Sequence, residues 1–232
     1  MFIMVDGIDG AGKSTVIDTW IDFLQNKNAP ILSLRTFWKT HGRHPTPEEF
    51  KPHTVIISAE PTFVGIGKKI REEMIVSGTP YTPRQIAEAY AEDRKILYAA
   101  VIVPALQKNL LVIQDRGVST SLCYQPLHHT DLTPEVIANI PGNAFALTHA
   151  PNHLILVDIE PAIAISRLLE RQKQDRALFE KESFLIKARQ RFLSHSYQEL
   201  FRSRGTHIHI LNGGVPLAIM KEEALRLLKH IL

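Results

Sequence analysis

The sequence predicts an α/β fold, a central parallel sheet with helices on both faces. Three observations predict it. Short apolar runs of strand length alternate with longer stretches of helical periodicity along the chain. The first apolar run stops at a glycine-rich turn and passes at once into a helical stretch. A later run, 110–114, leads straight into a carboxylate, Asp115, at the strand end where an open parallel sheet presents its ligand-facing groups.

The elements follow in order. Residues 2–5 form a compact apolar run, hence a short buried strand. From 13 to about 27 the apolar side chains Val16, Ile17, Trp20, Ile21, Phe23 and Leu24 mark a helix. Pro30 and the run 31–34 suggest a second strand, and 55–58 a third, with membership of both in the main sheet left open. Between them a polar insertion, 37–53, carries Gly42, Pro45, Pro47 and Pro52, which break regular structure. A helix is expected over about 67–76. A longer one starts near Pro83, capped by Thr82, and runs to about 108 with a kink or break at Pro104. Further strands are expected over 110–114, 154–157 and 207–211, and helices from about 161, over 182–202 and from about 217. No repeat, low-complexity tract or linker divides the chain, so 1–232 reads as one domain.

Composition narrows the function classes. The net charge of +3, from 27 basic and 24 acidic residues, is too small and too dispersed for a nucleic-acid-binding face. A single cysteine, Cys123, precludes an intramolecular disulfide and favours a reducing compartment. The first five residues are apolar without a basic leader, and no apolar run has the length of a membrane span, so the expectation is a cytoplasmic protein with no membrane partner.

The turn after the first strand reads Gly7-Ile8-Asp9-Gly10-Ala11-Gly12-Lys13-Ser14-Thr15, a match to G-x-x-x-x-G-K-[ST] in its required strand–loop–helix context. Glycines let backbone N–H groups curl toward phosphate oxygens, and the following helix adds its positive end. Gly7 to Thr15 are thus the ATP-binding candidates, Lys13 reaching the β and γ phosphates and Ser14 ligating Mg²⁺. With this loop the fold class becomes specific: a three-layer P-loop NTPase fold. Asp115 reads either as the second Mg²⁺-orienting residue or as a strand-ending carboxylate paired with Arg116, whose guanidinium suits a phosphate. Asp9 should be repelled by phosphates, so it either faces outward to an acceptor hydroxyl or closes an Asx turn. Tyr90 lies in an apolar helical pattern with Ile86, Ala89 and Leu97 and on pattern alone packs as well as it stacks; Tyr124 and Tyr197 read as packing residues. Adjacent His128 and His129 read as loop histidines, not a metal pair.

Over nearly its whole length the chain resembles thymidylate kinases. The likeness rests on the phosphate loop, on Glu60-Pro61-Thr62, on Tyr90 with Arg94, on Asp115-Arg116 through Thr120, Ser121 and Tyr124-Gln125, and on an arginine-bearing stretch before Phe179-Glu180. The resemblance implies ATP-dependent phosphorylation of dTMP to dTDP, with Mg²⁺ as cofactor, and a homodimer. It implies an acceptor site of Asp9, Glu60, Pro61, Phe63, Tyr90, Arg94, Arg116, Thr120, Ser121 and Tyr124. Tyr90 would stack on the base, Arg94 meet its edge, Arg116 the 5′-phosphate and Asp9 the sugar hydroxyl. Gly10 stands where one branch of the family carries arginine, so the catalytic cation is expected from a helical lid at about 167–180, from Arg167, Arg171 or Arg176. Four departures are visible: Ala59 in place of the first Arg of R-E-P-G-G, Thr62-Phe63 in place of its glycines, Leu122-Cys123 ahead of Tyr124, and the long 37–53 segment. That segment is open to three readings: a cover for the acceptor pocket, a contact with a second subunit, or a surface loop.

Overall fold

The computed structural model describes residues 1–170 and 182–232. Its strands are β1 (Phe2–Asp6), β2 (Ile31–Ser33), β3 (Val55–Ala59), β4 (Leu111–Asp115), β5 (His153–Asp158) and β6 (His207–Asn212). They form one six-stranded sheet in the order β2-β3-β4-β1-β5-β6, every pair parallel. The strand candidates at 31–34 and 55–58, whose place was left open, therefore both belong to the main sheet. The central strands are apolar without alternation because both sheet faces are covered: Ile3, Met4, Val5, Val112, Ile113, Leu154 and Ile155 are all buried.

The helices are α1 (Lys13–Asn26), α2 (Leu34–His41), α3 (Gly65–Lys69), α4 (Pro83–Leu97), α5 (Val103–Gln107), α6 (Val118–His128), α7 (Pro134–Asn139), α8 (Pro141–Thr148), α9 (Pro161–Glu170), α10 (Glu182–Leu193), α11 (His195–Arg202) and α12 (Leu217–Ile231). The first crossover, β1 to β2, runs toward one edge of the sheet, and the later ones run toward the other. Right-handed connection then puts α1 on one face and the later crossover helices on the opposite one. Accordingly α1 packs with α12, where Trp20 Nε1 donates to Ala224 O at 2.8 Å, while α4, α6 and α8 pack with one another.

Several expectations change. The second strand stops at Ser33, whose hydroxyl caps α2, and Gly42 closes that helix at φ 66°; the start of the 37–53 insertion is thus helical. The rest is anchored rather than loose, with Phe50 fully buried and the Arg43 guanidinium bound by both Glu49 oxygens at 2.8 Å. The helix expected over 67–76 starts at Gly65 and widens into a π-helical segment, Ile70–Met74. The long helix from Pro83 is divided by a second π-helical segment, Tyr98–Ile102, just ahead of Pro104, where widening relieves the clash a proline ring makes with the preceding turn. Helix 182–202 is broken at Ser194, which caps α11 by accepting from Tyr197 N. His128 closes α6 instead of lying in a loop.

Candidate active site

The loop between β1 and α1 is shaped by close approach. Gly7, at φ 143°, leaves no room for a Cβ, which would lie 2.4 Å from Val157 O. At Gly10, φ 80°, a Cβ would lie 2.5 Å from Ala164 O of α9. Ile8 and Ala11 point into the core and anchor the loop from behind. Lys13, nearly buried, donates to Gly7 O at 3.1 Å and to Ile8 O at 2.8 Å. Burial brings its ammonium down to about 8; Arg116 pushes the same way, and Asp9, Asp115 and Asp6 pull back.

β1, β4 and β3 end together, and Asp115 of β4, Ala59 of β3 and the loop after β1 open on one cavity of about 620 Å³. Asp9, Gly10, Gly12, Lys13 and Ser14 line its phosphate-loop side. Every expected acceptor-side residue lines it too: Glu60, Pro61, Phe63, Tyr90, Arg94, Arg116, Thr120, Ser121 and Tyr124. Gly7, Ile8, Ala11 and Thr15 stay behind the wall. Arg167 points elsewhere, donating to Gly213 O at 2.8 Å ahead of α12, because its face of α9 meets the loop after β6. Arg171 and Arg176 lie outside the described residues.

Arg116 is the electrostatic centre. It sits at φ 63° directly after β4 and pairs with the Asp9 carboxylate, and its Nη1 is 3.6 Å from Asp6 Oδ1. The alternative reading of Asp115, as a carboxylate paired with Arg116, finds no ion pair among the described contacts; the left-handed turn sends Arg116 toward Asp9 and Asp6 instead. Asp9 therefore meets Arg116 before any ligand, with Tyr124 OH 3.5 Å from its second oxygen. Burial pushes the Asp9 carboxyl up, but Arg116 and Lys13 together hold it below the ordinary carboxylate value. Asp6, fully buried, is pushed up by burial despite Arg116 and Lys13; it accepts from Gly7 N at 2.8 Å, from Thr120 Oγ1 at 2.6 Å and from Ser119.

A second buried network supports the acceptor side. Arg94 Nη2 lies 2.7 Å from Glu60 Oε2 and 3.0 Å from Ser121 Oγ, and Nη1 donates to Asn143 Oδ1. Gln114 Nε2 holds the other Glu60 oxygen at 2.9 Å. Burial pushes the Glu60 carboxyl up to about 7 against the pull of Arg94. Arg94 reaches the cavity wall already bonded on both terminal nitrogens, and its Nε is buried without a partner. Tyr90, half-buried among Ile70, Met74 and Ala89, also faces the cavity, so the packing and the cavity-facing readings both hold. Burial pushes its hydroxyl up to about 12.

The thymidylate kinase family model matches residues 46–223. The chain belongs to this family. Among curated relatives it is 30% identical over 209 residues to the thymidylate kinase of Bifidobacterium longum, covering 88% of this chain and 87% of that one. It is 30% identical over 203 residues to the Carboxydothermus hydrogenoformans thymidylate kinase, covering 87% and 86%. A probable thymidylate kinase of Archaeoglobus fulgidus is 28% identical over 234 residues, spanning 100% of this chain and 96% of its own. No helix among the described residues is long and apolar enough to cross a membrane.

Membership of the thymidylate kinase family brings Mg²⁺ into question, and the donor set fits it. Asp115 Oδ1 is buried without a hydrogen-bond partner, and the exposed Ser14 hydroxyl lines the same cavity. Both are hard oxygen donors, and Mg²⁺ takes few protein ligands beside phosphate and water. No group of three or more His, Cys, Asp or Glu able to hold a metal occurs among the described residues.

Sequence reasoning missed Asp6, Arg35 and Arg71. Asp6 ends β1 as Asp115 ends β4, so the strand-end argument applied to one could have found the other. Arg71 lies in Lys68-Lys69-Ile70-Arg71-Glu72, which reads as a solvated face, yet it lines the cavity.

Proposed function

We propose that the protein transfers the γ-phosphoryl group of ATP to dTMP, giving ADP and dTDP. One observation carries the reading: one cavity joins a phosphate loop to a wall of Tyr90, Arg94 and Arg116, which supports an acceptor bound beside the donor where a hydrolase or a switch needs the donor alone. Family membership supports ATP as donor, and the thymidylate kinase names of the relatives support dTMP as acceptor.

A monophosphate oxygen is already nucleophilic, so the residues need no general base. They must align two anions, offset charge and exclude water. Lys13, released from the Gly7 and Ile8 carbonyls, neutralises the transferring phosphoryl group. Arg116 holds the acceptor phosphate, with Asp9 fixing the guanidinium and remaining near the sugar hydroxyl. Tyr90 stacks on the base while Arg94, oriented by Glu60, Ser121 and Asn143, reads its edge. Ser14 and Asp115 would hold Mg²⁺, which when bound screens the donor phosphates. Of the three lid candidates Arg167 is engaged at Gly213, leaving Arg171 and Arg176 as the proposed catalytic cations. A symmetric homodimer is the proposed assembly, checked by sedimentation equilibrium.

The test is ADP release from Mg-ATP against dTMP, dUMP, dCMP, dGMP, UMP, CMP, GMP and AMP. Turnover preferring dTMP is expected. Preference for another deoxynucleoside monophosphate would keep the mechanism and relocate specificity to Ala59 and Phe63, since Leu122 is fully buried away from the cavity lining. Brisk hydrolysis indifferent to every acceptor would overturn the kinase reading in favour of a regulatory NTP-binding protein.

A further inference from the structure

The cavity carries two cations that the mechanism above leaves unused. Arg35 is the second residue of α2, the helix that begins the insertion, and Arg71 lies in the π-helical segment after α3. Both line the cavity beside Phe63. The Arg71 guanidinium carbon is 3.9 Å from the Phe63 ring centre and that of Arg35 4.8 Å, while Trp38 of α2 stacks on the same ring at 6.1 Å and 28°. The ring thus fixes two guanidinium groups near each other at the mouth of the acceptor side.

Their charges are uncompensated. Arg116 has Asp9 and Asp6, and Arg94 has Glu60, but neither Arg35 nor Arg71 has a carboxylate within ion-pair distance among the described residues. Arg71 spends Nε and Nη2 on the carbonyls of Pro61 and Thr62, which fixes its position without neutralising it. Arg35 donates no hydrogen bond among the described residues. Burial lowers the Arg71 value; Tyr90 pulls it back up, Arg35 lowers it, and Asp93 and Asp115, beyond ion-pair distance, raise it. Nearby, Ala59 lines the cavity with no cation at the position where the resemblance has arginine.

Resting on the kinase reading above, we infer that Arg35, carried into the cavity by helix α2, is an acceptor-phosphate-binding residue that works with Arg71 over Phe63 in place of the arginine missing at Ala59. A nucleoside monophosphate carries nearly two negative charges at neutral pH, enough to engage both guanidinium groups besides Arg116. Trp38, inside the 37–53 segment, stacks on the cavity-lining Phe63, so this segment supports the acceptor side instead of serving only as a surface loop.

Calorimetric titration tests this, with dTMP against thymidine, the dUMP, dCMP and dGMP pairs with their nucleosides, and ATP. Wild type is compared with Arg35→Ala, Arg35→Gln and Lys39→Ala, the last an exposed cation of α2 away from the cavity. Arg35→Ala and Arg35→Gln should each weaken the monophosphate about 10- to 100-fold, with nucleoside and ATP affinities unchanged and Lys39→Ala at wild-type values. Unchanged monophosphate binding in both Arg35 variants would overturn the inference and leave the kinase reading standing. An equal loss for nucleoside and monophosphate would also overturn it, since α2 would then act by packing alone. A wild-type protein that binds no monophosphate would sink both readings.

Discussion

Lys13 has a charge that depends on what occupies the loop. With its ammonium lowered to about 8 by burial, it loses its proton as the pH rises through that value, and a bound polyphosphate restores it. Calorimetry near pH 8 in buffers of differing ionisation heat should therefore show proton uptake with Mg-ATP, fading by about two units below. Binding without uptake would place the ammonium elsewhere, and Lys13→Met should cut kcat by about 10²–10³-fold. Arg94 and Glu60 make the opposite case. The Glu60 value, raised from 4.5 to about 7, means that the folded protein holds this proton more tightly than the unfolded chain. The resulting stability is complete below 4.5 and is lost as the pH rises to about 7. Arg94→Met removes the pull that holds this value down, so Glu60 takes up a proton in the variant. The substitution should cost more at pH 7.5, where wild-type Glu60 is largely ionised, than at pH 5, where it is neutral with or without Arg94, by about 1 kcal/mol. Urea denaturation at the two pH values decides this, and an equal cost at both would refute it. Residues that act through a contiguous motif, such as Lys13 and Arg116, were legible in the sequence. Arg35 and Arg71 were not, because only the fold brings them to Phe63.

Elements with one buried face announced themselves by period, as α1 does with Val16, Ile17, Trp20 and Leu24 inward. Helix α6 went unseen because Val118, Ser119 and Ser121 to Gln125 are all buried, so no stripe separates its faces. Helix α2 hid in a segment whose prolines lie beyond its end, and its start is signalled only by the Ser33 cap. The pairing of α9 with the phosphate loop was likewise invisible. It matters because Gly10 touches the α9 backbone at Ala164, leaving no path for a side chain where one branch of the family has arginine. Gly10→Ala should therefore both strain a left-handed residue and push α9 outward, costing about 1–3 kcal/mol and depressing kcat more than KM for ATP. Thermal melts and steady-state kinetics check it, and a variant with wild-type Tm and kcat would show that α9 gives way freely.

At the scale of the molecule, the two halves of the cavity belong to opposite directions of the sheet. The phosphate-loop half hangs on the loop after β1 and on α1, the other half on β3, α2, the π-helical segment Ile70–Met74, α4 and α6, and Asp115 with Arg116 at the end of β4 lies between them. A ligand filling one half braces only its own elements, whereas one spanning both ties the edge of the sheet to its centre. Binding stabilises by mass action, about 2.7 kcal/mol at a hundredfold excess over Kd, and a chain of this size gains about 2–4 °C per kcal/mol. ATP alone should raise Tm by about 5–10 °C at such excess. A bisubstrate ligand, adenosine and thymidine joined by a polyphosphate bridge, should raise it further at equal concentration, because the second station is met at high effective concentration. The extra rise should shrink in Arg116→Ala, which removes the guanidinium lying between the two halves of the cavity, and should be unaffected by Lys39→Ala. A bisubstrate shift no larger than that of ATP would mean that the cavity, although continuous, does not hold two nucleotides at once.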